Sequence, residues 1–189
     1  MAKINDNLLV RGARGNIGKQ YVYKKRGENT HIARMPSIDK NATPTEKQVQ
    51  VRELFSAASL YAKGAISDPD LKREYRKKAS SENTAFNIAF RDYLKAPVVK
   101  SIDTGNYKGV PGSTIVITAK DDFRVAEVTV SIRTAAGVLV EEGKAVLNPI
   151  DRNKWIYSAM QNNSSPAGSI INAAARDLPG NKGVLEITI

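Results

Sequence analysis

The stretch Val128-Thr129-Val130-Ser131-Ile132-Arg133 alternates apolar and polar side chains without a break. A period of two is that of a β-strand with one face in a core and the other in water. The same period recurs on either side of it. Upstream stand Ile115, Ile117 and Ala119. Downstream, Val138 to Leu147 supplies one long strand or two short ones around Gly143, followed by Trp155, Tyr157 and Ala159, by Ile171, Ala173 and Ala175, and by Leu185, Ile187 and Ile189. Gly, Asp, Asn and Pro punctuate these runs about every dozen residues, a spacing that predicts an antiparallel β-sandwich.

Before Pro97 the apolar period is helical. Thr43-Pro44-Thr45-Glu46 reads as a capping box with proline at the first helical position, followed by Val51, Leu54, Phe55, Ala58 and Tyr61 on one face until Gly64 weakens the pattern. Asp68-Pro69-Asp70 opens a second helix, with Leu71, Tyr75 and Ala79 on its apolar stripe and Lys72, Arg73, Arg76, Lys77 and Lys78 outside. Thr84 caps a third, with Phe86, Ala89, Phe90, Tyr93 and Leu94 as a core-facing stripe, and Pro97 stops it. Further upstream, Ile17 to Lys25 and Thr30 to Met35 flank the turn Arg26-Gly27-Glu28-Asn29, which predicts a β-hairpin ended by Pro36. A two-stranded ribbon is marginal alone, so it must pack on the helices or on a neighbouring molecule. The expected fold class is α+β in two domains: a basic β-hairpin and helical domain over 1–98 and a β-sandwich over 99–189.

Composition narrows the chemistry. The 189 residues contain no cysteine, which removes disulfides, thiolate metal sites and thiol catalysis. No run approaches the roughly 18 apolar residues of a membrane helix, and Met1-Ala-Lys-Ile-Asn-Asp-Asn lacks the pattern of a signal peptide. The expectation is cytoplasmic synthesis without a membrane span. The net charge of +10 is uneven: residues 1–40 carry nine Lys/Arg against three Asp/Glu, residues 41–98 ten against seven, and residues 99–189 ten against nine. An acidic partner should therefore meet the N-terminal part.

Three stretches of the C-terminal half resemble the immunoglobulin-like domains common in bacterial surface and phage proteins. Ala119-Lys-Asp-Asp-Phe-Arg-Val125 resembles the family's corner between two early strands, Lys154-Trp155-Ile156-Tyr157 its central aromatic strand, and Ala175-Arg-Asp-Leu-Pro-Gly-Asn181 the hairpin before its last strand. The resemblance implies a scaffold or adhesive module and no activity of its own. Residues 11–97 are similar to uncharacterised bacterial proteins with a Gly-rich start, a basic hairpin and a "T-x-x-Q" helix, here Thr45 and Gln48.

The remaining motifs exclude more than they assign. Gly12-Ala-Arg-Gly15-Asn-Ile-Gly18-Lys19 is not a phosphate loop: Ala13 stands six positions before Lys19, and Gln20 takes the place of the Ser/Thr that holds magnesium. His31, the only histidine, has no nucleophile elbow to serve. Asp121, Asp122 and Asp177 read as turn residues rather than a calcium site, because calcium needs six to eight oxygens and Lys120, Arg124 and Arg176 share their loops. Glu141 and Glu142, adjacent on a strand, point to opposite faces and cannot flank one bond. No catalytic, cofactor or metal residue is expected.

The partner-binding candidates are Arg11, Arg14 and Lys19 in the glycine-rich arm, and Tyr21, Tyr23, Lys24, Lys25 and Arg26 in the hairpin. They predict a non-catalytic structural or assembly protein, such as a component of a virion or phage-tail-like particle, whose basic arm contacts neighbouring subunits in a homo- or hetero-oligomer. The alternative is a nucleic-acid-associated protein that binds DNA through the basic hairpin and the helix around Lys72–Lys78.

Overall fold

A computed structural model describes residues 2–3, 7–37 and 41–189, so Met1 and residues 4–6 of the leading segment lie outside it. The chain is α+β, with three helices among the described residues and three four-stranded antiparallel sheets.

The first sheet contains β1 (Ala2–Lys3), β2 (Gly15–Ile17), β3 (Tyr21–Arg26) and β4 (Asn29–Arg34), in the order β1-β4-β3-β2. It corrects the expected hairpin. The run from Ile17 to Lys25 is broken because Gly18 (φ 59°) and Lys19 (φ 55°) both take left-handed conformations, and the Gln20 amide donates to the Ile17 carbonyl at 3.1 Å. Two consecutive left-handed residues make the type I′ turn that matches strand twist, so the chain reverses there and gains a strand.

The helices are α1 (Glu46–Ser67), α2 (Pro69–Lys78) and α3 (Ala85–Leu94). The capping box lies two residues later than the sequence predicts. Thr45 Oγ1 accepts from the Gln48 amide at 3.3 Å, and Gln48 Oε1 accepts from the Thr45 amide at 3.0 Å. Gly64 does not stop α1, which runs on to Asp68. That residue caps α2 by accepting from the amides of Asp70 and Leu71 at 2.8 and 3.1 Å. Thr84 caps α3 as expected.

The other two sheets are built from β5 (Val98–Asp103), β6 (Thr114–Lys120), β7 (Val125–Arg133), β8 (Leu139–Lys144), β9 (Val146–Leu147), β10 (Lys154–Ser158), β11 (Ile170–Asp177) and β12 (Lys182–Thr188). Their orders are β5-β6-β10-β9 and β12-β11-β7-β8. In the first, Trp155 pairs with Ile117 and Tyr157 with Ile115; in the second, Ile171 pairs with Ile132, Ala173 with Val130 and Ala175 with Val128. All ten are buried in one core, so the alternation read from the sequence puts those side chains inward. The run Val138–Leu147 is two strands, and they belong to different sheets. The chain crosses over at the buried Ala145, whose amide donates to Val128.

A second core lies among the helices: Ala62, Ala65, Tyr75, Ala85, Ile88, Ala89 and, from the corner between β6 and β7, Phe123. Leu178, from the turn after β11, packs against it. Tyr75 and Phe123 stack with ring centroids 4.1 Å apart. Val51, Leu54 and Phe55 fall outside this core and are 65%, 50% and 61% exposed, so the start of the face that their spacing marks stays largely open. α3 buries the apolar stripe of α1 fully only along its second half, at Ala58 and Ala62, and ahead of them it meets the Phe55 ring edge-on through Phe90 at 4.8 Å. α3 is also rotated from its expected register, burying Ile88 and Asp92 while Leu94 stays exposed.

Candidate functional site

Arg11 and Arg14 sit in the segment that leads into β2. Asn7 organises its start: the Leu9 amide donates to Asn7 Oδ1 at 3.0 Å and the Arg11 amide to the Asn7 carbonyl at 3.0 Å. The Gly12 amide then donates to Thr30 Oγ1 at 3.1 Å, which pins the arm onto β4. Leu8 and Leu9 project almost fully exposed, at 89% and 94%. Both arginines are exposed, as is Lys19 at the tip of the β2–β3 turn, where its amide donates to Asn16 Oδ1 at 2.9 Å.

The pairing register divides the hairpin candidates between two faces. Ile17 lies opposite Tyr21, Tyr21 opposite Arg34, Tyr23 opposite Ile32 and Lys25 opposite Thr30, and paired residues share a face. One face therefore carries Ile17, Tyr21, Tyr23, Ile32, Lys25 and Arg34. The other carries Val22, Lys24, Arg26, Ala33 and His31, with Asn16 and Asn29. The Lys24-Lys25-Arg26 run is thus not one basic cluster. Lys24 and Arg26 lie together near His31, and Lys25 joins the tyrosines. An open groove of about 810 Å³ at the end of the aromatic face is bounded by Lys19, Tyr21, Arg34, Met35 and Pro36.

Among the described residues this sheet contributes no side chain to either hydrophobic core. A contact with the helices runs through its β3–β4 turn, where Asn29 Nδ2 donates to Glu82 Oε1 at 2.8 Å. Sequence reasoning missed a second exposed surface, on α1. The first three turns of α1 are exposed all round, and Val51, Leu54 and Phe55 continue the buried stripe of the same helix into solvent. The signal was present, since the stripe is longer than α3.

Other features are occupied by the fold. A groove of about 990 Å³ beside the β6–β7 corner is lined by Lys78, Lys120, Arg124, Arg152 and Trp155. Lys78 Nζ is committed to the carbonyls of Phe123 and Asp122 at 2.5 and 3.2 Å, Arg124 to Glu74 at 2.9 Å, and the Trp155 indole nitrogen is buried. Glu141 is buried and accepts from the amides of Met160 and Gln161, while Glu142 is exposed. Burial, then the Glu141 carboxylate beside it, pushes the Tyr157 hydroxyl well above the usual phenol range. Asp121 and Asp177 accept from turn amides, at Phe123 and at Gly180 and Asn181. Among the described residues no group of His, Asp and Glu side chains is arranged to hold a metal ion, and no helix is long and apolar enough to cross a membrane. No protein-family model matches this chain, and no curated protein matches it.

Proposed function

We propose that this chain is a non-catalytic assembly protein whose N-terminal sheet and the exposed start of α1 pack on neighbouring subunits, as in a virion or phage-tail-like particle. In this reading residues 1–98 and 99–189 act as two domains, the second an immunoglobulin-like sandwich that serves as scaffold. The observation that carries it is a mismatch. The N-terminal sheet has an apolar face (Ile17, Tyr21, Tyr23, Ile32), while α1 exposes Val51, Leu54 and Phe55. Much of both surfaces stays open: Ile17, Tyr21, Val51, Leu54 and Phe55 are all exposed, although the Phe55 ring meets Phe90 of α3 at 4.8 Å. Exposed apolar surface left on two elements of one chain marks them as contact sites. The sheet ends in short edge strands, β1 and β2, and an edge is where strand addition occurs.

Sedimentation of the full chain over a range of concentrations tests this. The parent should self-associate, Val51→Ser/Leu54→Ser/Phe55→Ser should weaken association, and removal of residues 1–35 should abolish it. A parent that stays monomeric throughout and sediments like both variants would sink the proposal.

One observation supports the second reading, DNA binding. Lys24 and Arg26 share a face with His31, away from the tyrosines. The helix invoked with them is less available than the sequence implies, since Arg73 pairs with Asp70 at 3.1 Å and Lys78 holds the β6–β7 corner. Under this reading, replacing Lys24 and Arg26 by Gln should weaken duplex binding and make the salt dependence shallower by about 0.9 per lost phosphate contact. Strand addition predicts little salt dependence.

A further inference from the structure

The helices meet the sheets around three carboxyl groups: Asp92 on α3, Asp121 at the β6–β7 corner and Asp177 at the end of β11. Asp92 and Asp177 are 1% and 2% exposed. Asp177 is fully engaged. Its Oδ1 accepts from the amides of Gly180 and Asn181 at 2.8 and 2.6 Å, and its Oδ2 from Asn181 Nδ2 at 2.8 Å. That same Asn181 amide reaches the carbonyls of Tyr93 and Asp92 at 3.1 and 3.4 Å, tying the end of α3 to the β11–β12 turn.

Asp92 and Asp121 are each half engaged. Asp92 Oδ2 accepts from the Tyr75 hydroxyl at 2.7 Å, and Asp121 Oδ2 from the Phe123 amide at 3.0 Å. The Oδ1 atom of each is buried and receives no donor. The two carboxyls adjoin each other at this joint, and neither orphaned oxygen finds a donor there. Two ionised carboxylates cannot satisfy one another, because both only accept. One proton between them converts two orphaned acceptors into a donor and an acceptor.

We propose that Asp92 and Asp121 hold a single proton between them and that this proton latches the helices onto the sheets, so that the joint loosens as the medium turns alkaline. The surroundings fit. Asp92 faces Tyr75 from α2, Tyr61 from α1 through the 2.9 Å contact between the two phenols, Asp121 from the β6–β7 corner, and Asp177 with the neutral Asn181 from the β11–β12 turn. The cations nearby are directed elsewhere: Lys95 and Arg91 to Asp122 at 2.8 and 3.4 Å, Arg124 to Glu74, and Lys78 to main-chain carbonyls. No positive charge therefore takes the proton's place in the pair. Burial, opposed by the Tyr75 hydrogen bond and reinforced by the charges of Asp121 and Asp177, pushes the Asp92 carboxyl up to about 7. Burial raises Asp177 as well, against the bonds from Asn181 and Gly180.

The test is a carbon-13 titration of the side-chain carboxyls in the full chain, together with hydrogen exchange of the α3 amides. The Asp92 carboxyl carbon should titrate near neutrality in the parent, and its midpoint should fall by at least about one unit in Asp121→Asn, whose amide replaces the shared proton. Exchange of the α3 amides, corrected for the intrinsic effect of pH, should speed up by about tenfold or more from about pH 5 to about pH 8 in the parent. It should stay level in Asp92→Asn. An Asp92 midpoint in the ordinary carboxylate range, measured in the parent and so independent of whether either variant folds, overturns the shared proton. Equal α3 exchange at both pH values in the parent overturns the latch.

Discussion

Phe123 ties the corner between β6 and β7 to the helical core, and its truncation should loosen the helices' hold on that corner. The residue belongs by sequence to the corner after β6, but its ring is 7% exposed and sits in the helical core, stacked on Tyr75. Lys78 and Arg124 lie over the ring at 5.6 and 5.7 Å from its centre. Phe123→Ala removes the buried ring and leaves a cavity, at a cost of about 3–5 kcal/mol. Part of that sum, about 0.5–1.5 kcal/mol, is the aromatic pair with Tyr75. In a chain of this length each kcal/mol shifts Tm by about 2–4 °C, so a fall of roughly 6–20 °C is expected.

The location of the loss matters more than its size. The core between the two larger sheets contains neither Phe123 nor Tyr75, and its largest side chain is Trp155, 6% exposed. Helical ellipticity should therefore melt well below the parent temperature, while Trp155 fluorescence, which reports on the sheets, moves little. The parent should show both signals melting closer together. If Phe123→Ala lowers the two transitions equally, the cores are one cooperative unit and the assignment of Phe123 to the helices is wrong. If neither moves by more than a degree or two, the ring is not buried where the structure puts it.

Two further outcomes follow from close contacts and from charge. A Cβ at Gly183 would run into the Pro97 carbonyl, backbone against backbone, where β12 passes the start of β5; Gly183→Ala should cost about 1–3 kcal/mol or more in denaturant unfolding. Gly64, inside α1 with open space around it, is the control: Gly64→Ala should stabilise by about 0.5–1 kcal/mol. For pH, Asp92 is raised from an ordinary 3.8 to about 7, so between these values the folded chain keeps a proton that the unfolded chain has lost. Global stability should fall as pH rises through this window, with a limiting slope of about 1.4 kcal/mol per unit and a ceiling of about 4 kcal/mol, and level off above it. Asp122 acts in the opposite sense. The Lys95 bond, with Arg91 beyond it, holds its carboxyl low, so its small contribution is present above the ordinary carboxylate range and lost in acid. Asp92→Asn should remove the neutral-range slope from unfolding curves and leave the acid limb; an unchanged slope would assign it to another group.

How much of this was legible depended on whether one strand or helix carried its own evidence. Val128, Val130 and Ile132 could be placed inward because alternation on a half-buried strand allows no other choice. Asp68-Pro69 and Thr84 marked helix starts because capping chemistry is local. Thr45 was harder, since Thr43 with Glu46 and Thr45 with Gln48 fit the same pattern, and only the second pair exchanges both bonds. Val51, Leu54 and Phe55 could be put on one face of a helix, but periodicity shows which face is apolar, not how much lies opposite it. For the partner-binding candidates the sequence supplied the charge and the aromatics. Pairing register alone could separate Tyr21, Tyr23 and Lys25 from Lys24 and Arg26.

The two corner motifs explain why the joint itself stayed hidden. Asp121 and Asp177 each satisfy an amide of their own turn, which is a complete reason for their presence and leaves nothing for sequence reasoning to explain. Yet the same short segments also place Phe123 and Leu178 in the helical core, present Asn181 to the last carbonyls of α3, and set Asp121 against Asp92. A turn that serves only its strands requires its polar residues and its glycine. It does not require a phenylalanine that stays buried against another element, or an acid with one oxygen left over. Those surplus features place the boundary between the helices and the sheets at shared residues rather than at a linker, and they make the helices' hold on the sheets depend on a few side chains at two loops.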